Sequence, residues 1–427
     1  MRTKLADLFI PIAIFCILLI LADHGLGFVG FPSEAGLSVA HKPNYVDKRE
    51  DIDFTYTIRT NSRSIRYREI PAKKAAGEFR VVVLGDSFTE GVGVEAEQTW
   101  PALIEKSFGD TNYGKNTLFI NCGLIGAGPA QYTRILQRIG LEYNPDLVLL
   151  VLFANDVADT IMISEQNLLT SEGWFIDRSV YPKRKGVKAF LYFLIPRVYT
   201  LFETATMNLQ NHIKARGSKD IVRNLTSYAR RQGITESRIE EWQKRLPPEW
   251  VLAVNEGHME PYKLAHGLLC PDIWLEALDL STPASEKNWQ IAESILSRIH
   301  RLCREQNVPL AVAYAPVAYQ YDPTYVSPLM RVGVQIRKEW LVEGSEFQKR
   351  IGQWTVREGL PFLDMTPAFR KEAALRPGVL QFKTDTHWTP EGHQVAADLI
   401  EAWLLENHLV PQKVRPSPIR EKFYSLT

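Results

Sequence analysis

Cysteine is scarce in this chain, and the few present form no pattern. The four, Cys16, Cys122, Cys270 and Cys303, make no C-x-x-C pair and no run of close spacings. That excludes a disulfide-knit scaffold and a dithiol redox motif. A single Cys270–Cys303 bridge stays open, supported by nothing beyond the count. Excess charge of either sign is also lacking: 50 Lys and Arg against 49 Asp and Glu leave +1. No global electrostatic attraction for nucleic acid follows, and no nucleic-acid partner is expected. Internal repeats and low-complexity tracts are absent. So are the common glycine motifs. Gly85, Gly91 and Gly93 do not make G-x-G-x-x-G, no G-K-[ST] follows them, and Ser87 is not flanked as G-x-S-x-G. Dinucleotide binding, a P-loop and a lipase-type nucleophile elbow are thereby excluded, and no cofactor is expected.

What is present is a globular composition, 45% hydrophobic and 23% charged over 427 residues, enough for one large core or two ordinary ones. One long apolar run opens it. Arg2 and Lys4 precede Leu8 to Ala22, "LFIPIAIFCILLILA", fifteen residues without a charge. As a helix this run spans roughly 22 Å, short of a ~30 Å hydrocarbon core unless its apolar flanks extend it. We read residues 1–30 as a cytoplasmic start and an uncleaved transmembrane helix. A cleaved signal peptide is the alternative, although no A-x-A-like site follows. On both readings the basic flank stays inside and the rest of the chain lies on the extracytoplasmic side.

Residues 31–78 read as an extended linker and a short β segment, with two strands expected around the turn "TNSRS" in "DFTYTIRTNSRSIRYREI". The pattern then becomes strand, helix, strand, helix. Strands are expected at Arg80–Leu84, Leu118–Asn121, Leu147–Phe153, Pro309–Ala315 and Pro361–Leu363, mostly short and apolar without alternation, as in a parallel sheet covered on both faces. Helices are expected near Trp100–Ser107, Gln131–Ile139 and Lys287–Arg304, the last with a stripe of Ile291, Ile295, Ile299 and Leu302. A final helix follows the cap Thr389-Pro390, with Ala396, Leu399, Ile400 and Trp403 on one side. This is an α/β chain with a doubly wound, three-layer sheet of about five strands. The sheet domain takes 79–159 and 286–410, interrupted by a mostly helical insertion at 160–285, with a C-terminal tail at 411–427. Within the insertion, "VKAFLYFLIPRVYTLFETATMNLQ" behind Lys183–Lys185 is either a helix packed over the sheet or a membrane-surface contact.

The chemistry sits at the strand ends, where open α/β sheets place their sites. Gly85-Asp86-Ser87 follows the first strand, the glycine-rich "NCGLIGAGPAQ" the second, and "FANDVAD" the third. "TDTHWTPEGH" stands directly before the last helix. Each alone is ordinary turn or cap chemistry. Together they supply a complete acyl-transfer set. Ser87 needs an adjacent base to act as nucleophile, His387 can be that base, and Asp385 can orient the imidazole. Gly126, Asn155 and the Ser87 N–H can donate to an oxyanion. Asp385, His387 and His393 as metal ligands would have D-x-H-x₅-H spacing, which matches no zinc motif; no metal is expected.

These blocks resemble those of the SGNH, or GDSL-type, hydrolases and acyltransferases. "VVVLGDSFTEG" is similar to the first block, with Ser87 at the nucleophile. "NCGLIGAG" is similar to the second, with Gly126 at the oxyanion glycine. "FANDV" is similar to the third, with Asn155 at the oxyanion asparagine but Phe153-Ala154 where G-x is usual. "TDTHWTPEGH" is similar to the fifth, with His387 as base and Asp385 as acid. Its D-x-H spacing puts Thr384 at the usual acid position and resembles the alginate O-acetyltransferase branch. The resemblance implies a flavodoxin-like α/β/α sandwich and a serine ester hydrolase acting through an acyl-enzyme, with an acylated envelope or extracellular polysaccharide as substrate. Transfer of the acyl group to a sugar hydroxyl is the alternative. Lipid hydrolysis and a non-catalytic carbohydrate-binding scaffold stay open behind these.

Overall fold

The computed structural model describes residues 2–28, 41–109, 116–156, 167–169, 175–177, 186–199, 201–202, 220–259 and 261–411. The basic run Lys183–Lys185 and the C-terminal tail from 412 lie outside them. The chain divides into two compact units. One holds the described residues of 41–156 and 220–411, the other those of 2–28 and 167–202.

The first unit is built on five short apolar strands. In chain order the strands are β1 (Val46–Glu50), β2 (Thr55–Arg59), β3 (Phe79–Leu84), β4 (Thr117–Asn121), β5 (Leu147–Phe153), β6 (Asn167–Leu169), β7 (Phe175–Asp177), β8 (Leu310–Ala315) and β9 (Phe362–Asp364). β3, β4, β5, β8 and β9 form one sheet in the order β4-β3-β5-β8-β9, and every pair in it is parallel. Counted within that sheet the order is 2-1-3-4-5, that of flavodoxin-type doubly wound sheets.

Side chains of successive strand residues leave opposite faces, and here both faces are buried. Val81, Val83, Leu149, Val151 and Ala313 join one core cluster; Val82, Leu84, Val148, Leu150 and Val312 join the other. The first face is covered by helices Trp100–Gly109, Thr366–Leu375 and Pro390–Glu406, through Ile104, Phe369 and Ile400. The second is covered by Pro129–Arg138, Pro283–Glu305 and Glu346–Glu358, through Tyr132, Leu296 and Trp354. The result is three layers. On the Pro283–Glu305 helix the buried stripe is centred on Trp289, Ala292, Ile295, Leu296, Ile299 and Cys303, rotated from the expected Ile291 and Leu302 because Trp289 anchors it. Cys270 and Cys303 are both free thiols, so the bridge left open by the sequence does not form.

The expected hairpin around "TNSRS" is corrected. β2 pairs antiparallel with β1, upstream of it, from Val46↔Arg59 to Glu50↔Thr55. The segment after the turn is held otherwise. Arg66 is buried, and its guanidinium donates to the carbonyls of Thr57, Glu90, Gly91 and Val94. A buried cation with four backbone acceptors outweighs one more edge strand.

In the second unit a helix runs Arg2–Phe28 through Pro11. Near its end the buried Asp23 carboxylate accepts the N–H groups of Arg197 at 2.6 Å and Val198 at 3.0 Å. The helix Val187–Leu194 has no fully buried side chain and leaves Val187, Phe190 and Phe193 exposed. β6 and β7 pair antiparallel. Among the described residues no helix is long and apolar enough to cross a membrane.

Candidate active site

β3 delivers Ser87. Gly85 ends the strand where no side chain fits, since a Cβ there would lie 2.1 Å from Thr89 Oγ1. Asp86 caps the helical turn Ser87–Glu90 by accepting the Phe88 N–H at 3.0 Å, and Gly91 closes it in the left-handed region at φ +87°. Ser87 thus leaves the carboxyl end of a central strand as the first residue of a helical turn. Only 7% of it is exposed.

His387 arrives from the other end of the chain. It lies just before the helix Pro390–Glu406, whose cap Thr389 accepts from the Gly392 N–H. Its ring packs against Phe88 at 5.0 Å between centroids, and Phe88 stacks in turn on Phe153 at 4.1 Å. So wedged, His387 Nε2 lies 2.7 Å from Ser87 Oγ. Its Nδ1 is hydrogen-bonded to Asp385 Oδ1, which also accepts the His387 backbone N–H at 2.9 Å. Thr384 is not available as the acid, because its hydroxyl donates to Asp53 at 2.8 Å. With Nδ1–H committed to Asp385, the tautomer leaves Nε2 free to accept the serine proton.

Asp385 has a second partner that the sequence did not suggest. The Lys263 ammonium, on the helix Tyr262–Leu269, lies 2.9 Å from Asp385 Oδ2. It also meets Asp51 at 3.1 and 3.0 Å. Burial pushes the Asp385 carboxyl up, but His387 and Lys263 together outweigh it and hold it well below the usual carboxylate range. Asp86 goes the other way. Burial pushes it up to about 6, and its Oδ2 has no hydrogen-bond partner.

The loops after β4 and β5 flank that after β3, because β3 lies between those two strands. Gly126 is exposed, at φ +69°. Its loop is pinned by Glu90, a fully buried carboxylate that accepts the Ile125 N–H and pairs with His41. The loop runs so close to the serine turn that a Cβ on Gly123 would lie 2.3 Å from the Glu90 nitrogen. Asn155 is half-buried and its side-chain oxygen has no partner. The turn carrying it is held by Asp156, which accepts the Tyr132 hydroxyl at 2.7 Å and the Phe153 N–H at 2.9 Å. Hydrogen bonds therefore bring Ser87, His387 and Asp385 together. Among the described residues none joins Gly126 or Asn155 to Ser87.

His393 takes no part in the chain of bonds. It is 1% exposed, its Nδ1 accepts the Trp100 N–H at 3.3 Å, and burial pushes its pKa down to about 3. Among the described residues no group of three or more His, Cys, Asp or Glu is placed to hold a metal ion. Lys263, Asp51, Glu90 and His41 carry no local signal; only the fold brings them to the site.

Residues 81–400 match the family model of the GDSL-like lipase/acylhydrolases. No curated protein matches the chain. Similar solved structures include an acetyl xylan esterase, AlAXEase, with 10% identity, 76% of this chain and 98% of that one covered, and a TM-score of 0.35. Another is a catalytic mutant of an acetylxylan esterase from Geobacillus stearothermophilus (10%, 76% and 94%, 0.36). A third is a two-domain esterase active on acetylated mannans (12%, 81% and 54%, 0.33). At such identities and scores these likenesses say nothing about substrate or reaction.

Proposed function

Because the chain belongs to the GDSL-like lipase/acylhydrolase family, we propose that it is a serine ester hydrolase using Ser87, His387 and Asp385. One observation carries this reading: the unbroken hydrogen-bond chain from Ser87 Oγ through the imidazole to Asp385. In the first step Ser87 Oγ bonds to the ester carbonyl carbon while its proton passes to His387 Nε2, and the carbonyl π pair moves onto oxygen. The Ser87 N–H, the Gly126 N–H and the Asn155 amide receive that oxyanion; each such donor is worth about 10²–10³ in turnover. Collapse breaks the ester C–O bond, and the leaving alkoxide takes the proton from Nε2. Water then repeats the sequence on the acyl-enzyme, giving its proton to Nε2 and releasing the acid and free Ser87. Asp385 stays ionised throughout and stabilises the imidazolium.

The substrate we propose is an O-acylated envelope or extracellular polysaccharide, with the enzyme on the extracytoplasmic side. The basic flank Arg2 and Lys4 before the apolar run supports the orientation, and the likeness of "DTHW" to the alginate O-acetyltransferase branch supports the carbohydrate. That same one-residue spacing favours a second reading, in which a sugar hydroxyl replaces water as acceptor.

The test is a fluorophosphonate serine probe on the full-length chain beside Ser87→Ala and His387→Ala. Labelling should vanish in the first and fall sharply in the second. An unlabelled wild type, shown to be folded, would refute the serine mechanism. Acetate release from an O-acetylated polysaccharide, with and without added sugar acceptor, then separates hydrolysis from transfer. Fractionation of cells expressing the full chain tests the location; recovery with cytoplasmic proteins would refute it.

A further inference from the structure

We propose that Lys263 is a positioning residue of the catalytic apparatus, one that orients the Asp385 carboxylate and balances its charge opposite His387, and that Asp51 tunes it. The proposal rests on the Ser87–His387–Asp385 reading and deepens it.

The geometry divides the two Asp385 oxygens between two tasks. Oδ1 receives both N–H groups of His387, the backbone one at 2.9 Å. Oδ2 receives the Lys263 ammonium at 2.9 Å. The carboxylate is therefore held at both ends and cannot rotate about its bond to the chain without losing an ion pair. Lys263 is in turn held by both oxygens of Asp51, so among the described residues its ammonium is paired with two carboxylates. The Lys263, Asp51 and Asp385 side chains are almost wholly buried, at 5%, 6% and 4% exposure. An ammonium is seldom buried to this degree without a partner that repays its desolvation. Here two carboxylates do so, and one of them faces the imidazole.

Three remote stretches of chain meet at this point. Asp51 comes from the bend between β1 and β2, Lys263 from the helix Tyr262–Leu269, and Asp385 from the segment before the last helix. The helix belongs to the insertion, outside the four blocks that carry the motifs. That helix is fastened on its other face by Trp242 Nε1, which donates to the Leu264 carbonyl at 3.1 Å. The insertion thus contributes a charged side chain to the site.

The electrostatic consequence has a definite sign. When the serine proton arrives, the imidazolium faces Asp385, with Asp86 and His393 also near. Asp385 itself faces Lys263 and, more distantly, Tyr56. The Lys263 cation partly offsets the pull of Asp385 on the imidazolium. Asp51 offsets Lys263 in turn. Removing the cation and removing its counter-ion must therefore move the acid limb of the reaction in opposite directions, which a packing defect would not do.

The experiment measures the pH dependence of fluorophosphonate labelling of Ser87, as kinact and KI, in the full-length chain and in Lys263→Met, Lys263→Arg and Asp51→Asn. Lys263→Met should move the acid limb up by about half to one pH unit and lower kinact about 10- to 100-fold, with KI changed less than about threefold. Asp51→Asn should move the limb down. Lys263→Arg, which keeps the charge and can still span both carboxylates, should recover most of kinact. If Lys263→Met fails to fold, the opposite displacement in Asp51→Asn and the recovery in Lys263→Arg still decide the matter. A limb that stays put in both charge-removing variants, or moves the same way in both, overturns the role of Lys263 while leaving Ser87 labelling intact. Loss of labelling in the wild type itself would instead overturn the underlying reading.

Discussion

His393 makes the stability of this protein fall on mild acidification, and by an amount the structure sets. The ring is buried against the edge of Trp388, and its Nδ1 accepts the N–H that opens the helix Trp100–Gly109. A proton on Nδ1 would put donor against donor in a buried site, so burial holds the group at about 3 instead of the usual 6.5. The sign follows from linkage. A histidine depressed in the folded state leaves stability whole above pH 6.5, and stability is then lost as the pH falls toward 3. The slope is about 1.4 kcal/mol per pH unit, which makes a loss of about 3 kcal/mol between pH 6.5 and pH 4. The comparison is urea unfolding of wild type and His393→Gln at pH 8 and pH 4. Glutamine can still accept the Trp100 N–H but does not titrate, so the variant should be the less stable at pH 8 and lose about 3 kcal/mol less on going to pH 4. Parallel losses in the two proteins would refute the argument.

Three further expectations concern the serine turn and the triad. Asp385→Asn should lower turnover about 10³- to 10⁴-fold with the fold intact, because an amide that gives its oxygen to Lys263 turns its NH₂ toward His387 and selects the wrong tautomer; normal turnover would contradict it. Asp86→Asn removes a carboxylate that burial raises to about 6. A raised carboxyl is harmless below pH 4 and costs stability as the pH climbs through 6, so the variant should gain up to about 3 kcal/mol on wild type between pH 3.5 and pH 8, read from the difference in unfolding free energy. Gly123→Ala puts a methyl 2.3 Å from the backbone of Glu90, which cannot move without the serine turn. It should cost at least about 1–3 kcal/mol and slow acylation together; an unchanged melting temperature would show that the two loops separate freely.

The sheet was legible because its strands are buried on both sides, so each reads as an unbroken apolar run. The five observed strands begin or end within one residue of the expected positions. Ser87, Asp385 and His387 were legible for a related reason: polar residues that abruptly follow apolar strands, or precede a well-capped helix, stand out against their surroundings. The partner of β2 was not legible. Nothing in "SIRYREI" announces that Arg66 will bury its guanidinium among four carbonyls instead of letting the segment pair. Lys263 was hidden for the same cause. It sits in an unremarkable helix, 212 residues from Asp51, and its meaning depends on where the fold carries that helix. Local pattern reports what a residue's neighbours in sequence require; an ion pair between distant segments leaves no such trace.

The hydrogen bond between Ser87 and His387 joins residues 300 apart in the chain, and this has a consequence for the order of events during synthesis. On the proposed mechanism, a parallel sheet with its nucleophile after the first of its strands and its base beyond the last cannot complete the working site early. Contacts of such long separation form late, after loop-closure entropy has been met. While the ribosome still holds the last segment, Ser87 has no base, and the nascent chain is chemically silent however much of β3, β4 and β5 has already come together. Any interruption before residue 387 yields a chain that lacks the proposed base. On the proposed mechanism the chemistry is thereby timed to the arrival of His387.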